Sequence, residues 1–203
     1  MTTTPLAPRA EEALPFAAES GRHSPGWWGM VAVLVTEGSL FVLLLFSYIY
    51  TGSFDHTHWM VDGPPELKLA LPNTVILLVS SATVWWAEKG IKSGRRGQLR
   101  AGLTATLLFG IVFATIQGLE YANKKFGPSR DAYSSLFYTI TGFHFAHVIV
   151  GLIMLATVLV WASIGAFNEK RHLAVTNVAL YWHFVDAVWL AVFTTLYLAP
   201  HLK

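Results

Sequence analysis

The sequence contains no cysteine. That absence removes disulfides, iron–sulfur clusters, thiolate-ligated copper and a cysteine nucleophile together. Charge is scarce as well: 13% of the 203 residues are charged against 54% hydrophobic, where a soluble domain carries about 25% charged residues. Water is not the main solvent for this chain. The formal net charge of +2 comes without a dense Lys/Arg face interleaved with stacking rings, which excludes nucleic acid as a partner. Also missing are a Walker sequence, a Gly-x-Ser-x-Gly elbow and a His-Glu-x-x-His zinc motif, so no self-contained catalytic machine is written here. No apolar block alternates with period two, which excludes a membrane barrel.

What the chain does have is long apolar blocks, at 27–50, 69–87, 99–121, 134–161 and 175–199. Each is long enough to cross about 30 Å of hydrocarbon at about 1.5 Å per helical residue. The prediction is an all-α integral membrane bundle of five transmembrane helices over 27–199, with a flexible tail at 1–26 and a short outer tail at 200–203. The first tail sets Pro5, Pro8, Pro15 and Pro25 among Ala, Glu and Ser, a composition that cannot bury enough apolar surface to order itself. A signal peptide would place a shorter apolar core directly behind a basic start, so the first block is expected to be a retained span. Rings gather near the span ends, as in Trp27, Trp28, Tyr48, Tyr50, Trp85 and Trp86, where an amphipathic side chain is stable between lipid and water.

Basic residues set the expected orientation. Arg9, Arg22, Lys89, Lys92, Arg95, Arg96, Arg100, Lys170 and Arg171 flank one side of the membrane, and Lys68, Lys124, Lys125, Arg130 and Lys203 the other. The positive-inside rule then places the N-terminus in the cytoplasm and the C-terminus outside.

Ionisable groups inside the spans carry the functional information, because a carboxylate at mid-depth costs about 2.5–3.5 kcal/mol on insertion scales. Glu37, in Thr36-Glu37-Gly38-Ser39, lies about 15 Å into the first span. It is either hydrogen-bonded to a neighbour or a proton relay. The fourth span holds His144 and His147, and the fifth His183 and Asp186, each pair three residues apart and so on one helix side. Lipid offers such groups no partner, so they are expected to face the bundle. Two readings are open for the histidines: metal or haem ligation, and interhelical hydrogen bonds of about 0.6–2 kcal/mol. A dinuclear site would require Glu-x-x-His repeats on facing helices, and none of His144, His147 and His183 has a Glu three residues before it. Gln117, Glu120 and Trp182 are expected at lipid or interface contacts. His56 and His58 are two candidate ligands without a third. Gly29, Gly38, Gly110, Gly118, Gly142 and Gly151 permit close approach of helix backbones.

The runs Gly142-Phe143-His144-Phe145-Ala146-His147-Val148-Ile149-Val150-Gly151 and Tyr181-Trp182-His183-Phe184-Val185-Asp186-Ala187-Val188-Trp189-Leu190 resemble the sixth- and seventh-helix signatures of subunit III of haem-copper oxidases. Thr36-Glu37-Gly38-Ser39-Leu40-Phe41, Pro72-Asn73-Thr74, Ser80-Ser81 and Gln117-Gly118-Leu119-Glu120-Tyr121 agree with it in order, so the likeness covers about 27–199. It implies a non-redox accessory subunit that holds no haem or copper. These cofactors belong to partner subunits, namely catalytic subunit I, beside its proton-uptake channel, and subunit II.

The resemblance further implies support of proton uptake, protection of the catalytic subunit, phospholipids held in a cleft, and a bacterial plasma membrane location. Glu37 matches the family's carbodiimide-reactive carboxyl. The chain looks like a short form lacking the first two of seven helices. Trp161 stands where the long form has an Arg resembling a lipid-phosphate clamp, and a ring cannot replace a bidentate guanidinium. The equivalent subunit of a quinol oxidase or of a nitric oxide reductase fits the same residues. From another class, so does a free-standing proton or solute transporter using Glu37, although no inverted repeat or broken helix pair accompanies it.

Overall fold

Serine and proline fix the start of the first span. In the computed structural model, which describes residues 24–54, 59, 60, 63, 65, 67–124 and 126–202, the Ser24 hydroxyl accepts from the Trp27 amide at 3.3 Å. Pro25 then opens helix α1 (Pro25–Phe54), at the position where its missing N–H is not needed. Of the tail expected at 1–26, residues 1–23 lie outside the described residues, as do His56 and His58.

The other apolar blocks form α2 (Leu67–Lys92), α3 (Arg96–Asn123), α4 (Ala132–Ser163) and α5 (Leu173–Val192). The last continues through a π turn (Phe193–Leu198) and a 3-10 turn (Ala199–His201). All five are long and apolar enough to cross a membrane, and no strand occurs among the described residues. Each helix overruns its predicted block by several residues, because backbone hydrogen bonding continues past the apolar stretch into the interface.

The α2–α3 hairpin closes within a few residues. Gly94 takes φ +70° there, a left-handed conformation that side-chain-bearing residues avoid. Above this turn the helices approach closely: a Cβ on Gly102 would fall 2.6 Å from that of Ala87, and the Thr83 and Thr106 hydroxyls bond at 2.8 Å. The Arg100 guanidinium donates to the Ala162 carbonyl at 3.1 Å, alongside the Gly165 amide that donates to the same oxygen at 3.2 Å, and so ties α3 to the end of α4.

α5 is the central element, packing against α1, α2 and α4. Its Trp182 is fully buried between α3 and α4, where a Cβ on Gly110 would meet the ring at 2.7 Å and one on Gly151 at 2.9 Å. The indole N–H donates to Ser80 Oγ of α2 at 2.9 Å. Seven residues on, Trp189 repeats the pattern, donating to Thr74 Oγ1 at 2.9 Å and meeting Phe113 edge-on at 5.1 Å. α1 is peripheral, burying only Phe41 and Tyr48.

Two outcomes follow from these contacts. Gly151→Ala forces a methyl against the enclosed Trp182 ring and should cost about 1–3 kcal/mol, read as a lower melting temperature in lipid, while Gly118→Ala, which meets nothing within 4 Å, should not. Asp131 caps α4: its Oδ1 accepts from the Ser134 amide at 2.6 Å, and that bond, helped by Arg130, holds the carboxyl below its ordinary value. A carboxyl acidified by folding contributes stability that is present above its unfolded pKa and lost as pH falls through the folded one. Hydrogen exchange in the first turn of α4 should therefore accelerate in acid, and Asp131→Ala should bring about 1 kcal/mol of that loss to neutral pH.

Candidate functional site: an acid–imidazole pair inside the bundle

Helix periodicity brings Glu37 to the side of α1 that faces α4, where His147 meets it. Glu37 Oε2 lies 3.1 Å from His147 Nε2. The other ring nitrogen, Nδ1, sits 2.7 Å from the Phe143 carbonyl. A carbonyl only accepts, so Nδ1 carries a hydrogen. Nε2 then either accepts from a protonated Glu37 or donates to its carboxylate. The pair shares one mobile proton and is neutral overall in both forms. Tyr181 Oη donates to the His147 carbonyl at 3.3 Å, and Phe41 lies edge-on to the imidazole at 5.1 Å. The Glu37 side chain is 37% exposed and that of His147 15%, so the acid opens on the bundle's outer face while the base is more enclosed.

His144, one turn away, has different company. It is 1% exposed; its Nε2 donates to the Val185 carbonyl at 3.2 Å, and its ring lies 4.9 Å from Trp189 and 6.0 Å from Phe113. The imidazole hydrogen bonds of the two α4 histidines thus cross to separate helices, to α1 from His147 and to α5 from His144.

On α5, His183 Nδ1 is 2.6 Å from Ser81 Oγ of α2. Asp186 is buried beside it, with neither carboxyl oxygen in hydrogen-bond geometry to a described residue; Ser81 is the hydroxyl that acts on it. Gln117, Glu120 and Trp182, expected at lipid or interface contacts, are enclosed by the chain's own helices. Glu120 Oε1 accepts from Tyr197 Oη at 3.0 Å and pairs with Lys124 Nζ at 3.2 Å, whose ammonium lies 4.7 Å over the Phe137 ring. Trp161 packs near Phe167 at 6.5 Å.

Ser80, Ser81 and Thr74 are functional partners that the sequence offered only as residues of the resemblance, with no role attached. Their heptad-like spacing on α2 is visible, but hydroxyls at helix-interior positions bond equally well to their own backbone, and only α5 reveals their use. Among the described residues no group of three or more His, Asp or Glu side chains is placed to hold a metal ion. The arrangement can hold and exchange protons, and it can lock helices.

A multi-pass bundle whose intramembrane acids and imidazoles pair across helices is thereby defined as a class. The family model described as "Cytochrome c oxidase subunit III" matches residues 24–200, and the chain belongs to that family. It is 37% identical over 178 residues to "Cytochrome c oxidase subunit 3" of Pylaiella littoralis, covering 83% of this chain and 65% of that one. It is 35% identical over 175 residues to the protein so named in Synechocystis sp., covering 84% and 74%. With that of Drosophila yakuba the identity is 33% over 177 residues, covering 84% and 68%. The chain spans 65% of the length of the first of these relatives.

The Glu37–His147 contact couples the two side chains energetically. A double-mutant cycle with Glu37→Gln and His147→Phe, read by thermal unfolding in lipid, should return about 0.5–2 kcal/mol of coupling. Strictly additive effects would show that the two do not meet.

Proposed function

We propose that this chain is a non-redox accessory subunit of a bacterial haem-copper terminal oxidase, packed beside catalytic subunit I and with subunit II in the same complex. Haem and copper reside in those partners, where electrons reduce dioxygen during aerobic respiration. This chain supports proton uptake and the durability of subunit I. The observation that carries the reading is the Glu37–His147 pair: a mid-depth carboxyl, 37% exposed at its side chain, on a helix that buries only two of its residues against this chain.

A neighbour seated on α1 would meet Val35, Val42, Leu43, Phe46 and Ile49, all exposed, together with a proton-sharing pair. Apolar side chains supply the contact area, and the pair supplies a proton that can pass between acid and imidazole with no change in the pair's net charge. Structural phospholipids would cover what the partners leave open.

A bacterial plasma membrane location is part of this proposal. The placement of the N-terminus in the cytoplasm is supported by Lys92, Arg95 and Arg96 on one turn and Lys170 and Arg171 on the next. These two turns meet, since Glu169 lies against Gly94.

Purification in mild detergent through a tag on this chain should bring down haem absorbance with the partner subunits. In that complex Glu37→Gln should leave the haem bands unchanged while turnover slows or decays sooner. Disappearance of a haem band in the variant would show that Glu37 is a ligand and overturn the assignment.

A further inference from the structure

The seam between α2 and α5 contains a buried carboxyl that the reading above does not use. Trp189 bonds Thr74, Trp182 bonds Ser80 and His183 bonds Ser81, so residue numbers fall along α2 as they rise along α5, and the helices are antiparallel. Positions 74, 81 and 88 of α2 are seven apart and share one side. Along that line polar groups succeed one another. Asp186 is 4% exposed, its oxygens are unpaired, and Ser81 is the side chain that acts on it. The Ser81 hydroxyl lies 2.6 Å from His183 Nδ1. His183 in turn feels the charge of Glu88, which pairs with Lys92 at 2.7 Å near the end of α2.

A carboxylate without partners in an apolar bundle is far costlier than a neutral carboxyl. A hydroxyl between an acid and an imidazole can donate to one while accepting from the other. We propose that Asp186 is a proton-binding site, filled and emptied through a relay of Ser81 and His183 toward the Lys92 end of α2.

The transfer balances as follows. Ser81 gives its hydroxyl proton to His183 Nδ1 and takes the carboxyl proton of Asp186. The imidazolium then releases its Nε2 proton to water toward the Lys92 end of α2, so one proton has left Asp186, and the reverse sequence returns it. His144 of α4 touches α5 at the Val185 carbonyl, and His172 lies at the outer end of the seam, near Lys92 and Glu88. Glu37 of α1 acts on Tyr181, which helical periodicity places on a different side of α5 from Asp186. The relay is therefore separate from the Glu37–His147 pair and does not rest on the function proposed above.

Infrared spectroscopy of the full-length protein in lipid, transferred from H2O to D2O, tests this. A protonated-carboxyl C=O band should vanish in Asp186→Asn and shift on deuteration in the wild type. The shift should be at least about tenfold slower in Ser81→Ala and in His183→Phe. Glu37→Gln, the control, should leave its rate unchanged. An unaltered spectrum in Asp186→Asn would mean the carboxyl is not a protonated site and would overturn the proposal. So would exchange that proceeds at the wild-type rate in both relay variants, or exchange that depends on Glu37.

Discussion

The Trp182 indole is held from three directions, by the missing side chains of Gly110 on α3 and Gly151 on α4 and by the Ser80 hydroxyl on α2, and the positions of the other polar groups follow from it. Lipid tails are as apolar as the ring, so burying it in the bundle yields little hydrophobic gain; close packing and the indole hydrogen bond supply the preference. Both need glycines that admit the ring and a hydroxyl at the right height. Once Trp182 is seated, the α5 register against α2 is set, and Trp189 reaches Thr74 while His183 reaches Ser81. A slip of one residue along α5 would break all three bonds together.

The count and approximate place of the helices were legible because hydrocarbon imposes a simple rule: about twenty apolar residues, few charges and every backbone group satisfied within the segment. Ends were less legible. Ser24 and Pro25 start α1 before the apolar run begins, and α5 finishes in π and 3-10 turns that no hydropathy pattern announces. Among site residues, the mid-depth position of Glu37 and the spacing of the four α4 and α5 groups could be read directly. Their partners could not. His144 and His147 share a helix side by spacing, yet one imidazole bonds to α5 and the other to α1, a division that depends on which helix lies beside which turn. Gln117 and Glu120 sit near a span end, where an amide and a carboxyl can face lipid headgroups; the neighbouring Tyr197 and Lys124 hold Glu120 inside.

Two kinds of intramembrane polarity emerge. The hydroxyl–indole bonds and the Thr83–Thr106 bond are fixed and fasten helices. The Glu37–His147 and Asp186–Ser81–His183 groups contain exchangeable protons and leave one partner either partly exposed or unsatisfied. The second kind gives the proposed accessory role its chemistry, since an acid beside an imidazole can pass a proton between its members at mid-depth while the pair stays electrically neutral.

The central claim is that the intramembrane imidazoles are occupied by side chains and carbonyls of neighbouring helix turns. Solid-state NMR of the protein in bilayers, with labelled histidine, glutamate and serine, addresses it directly. The account predicts through-space contacts from His147 to Glu37 and from His183 to Ser81, with ring-nitrogen shifts of hydrogen-bonded imidazole. Shifts of metal- or haem-bound nitrogen, with those contacts missing, would contradict it.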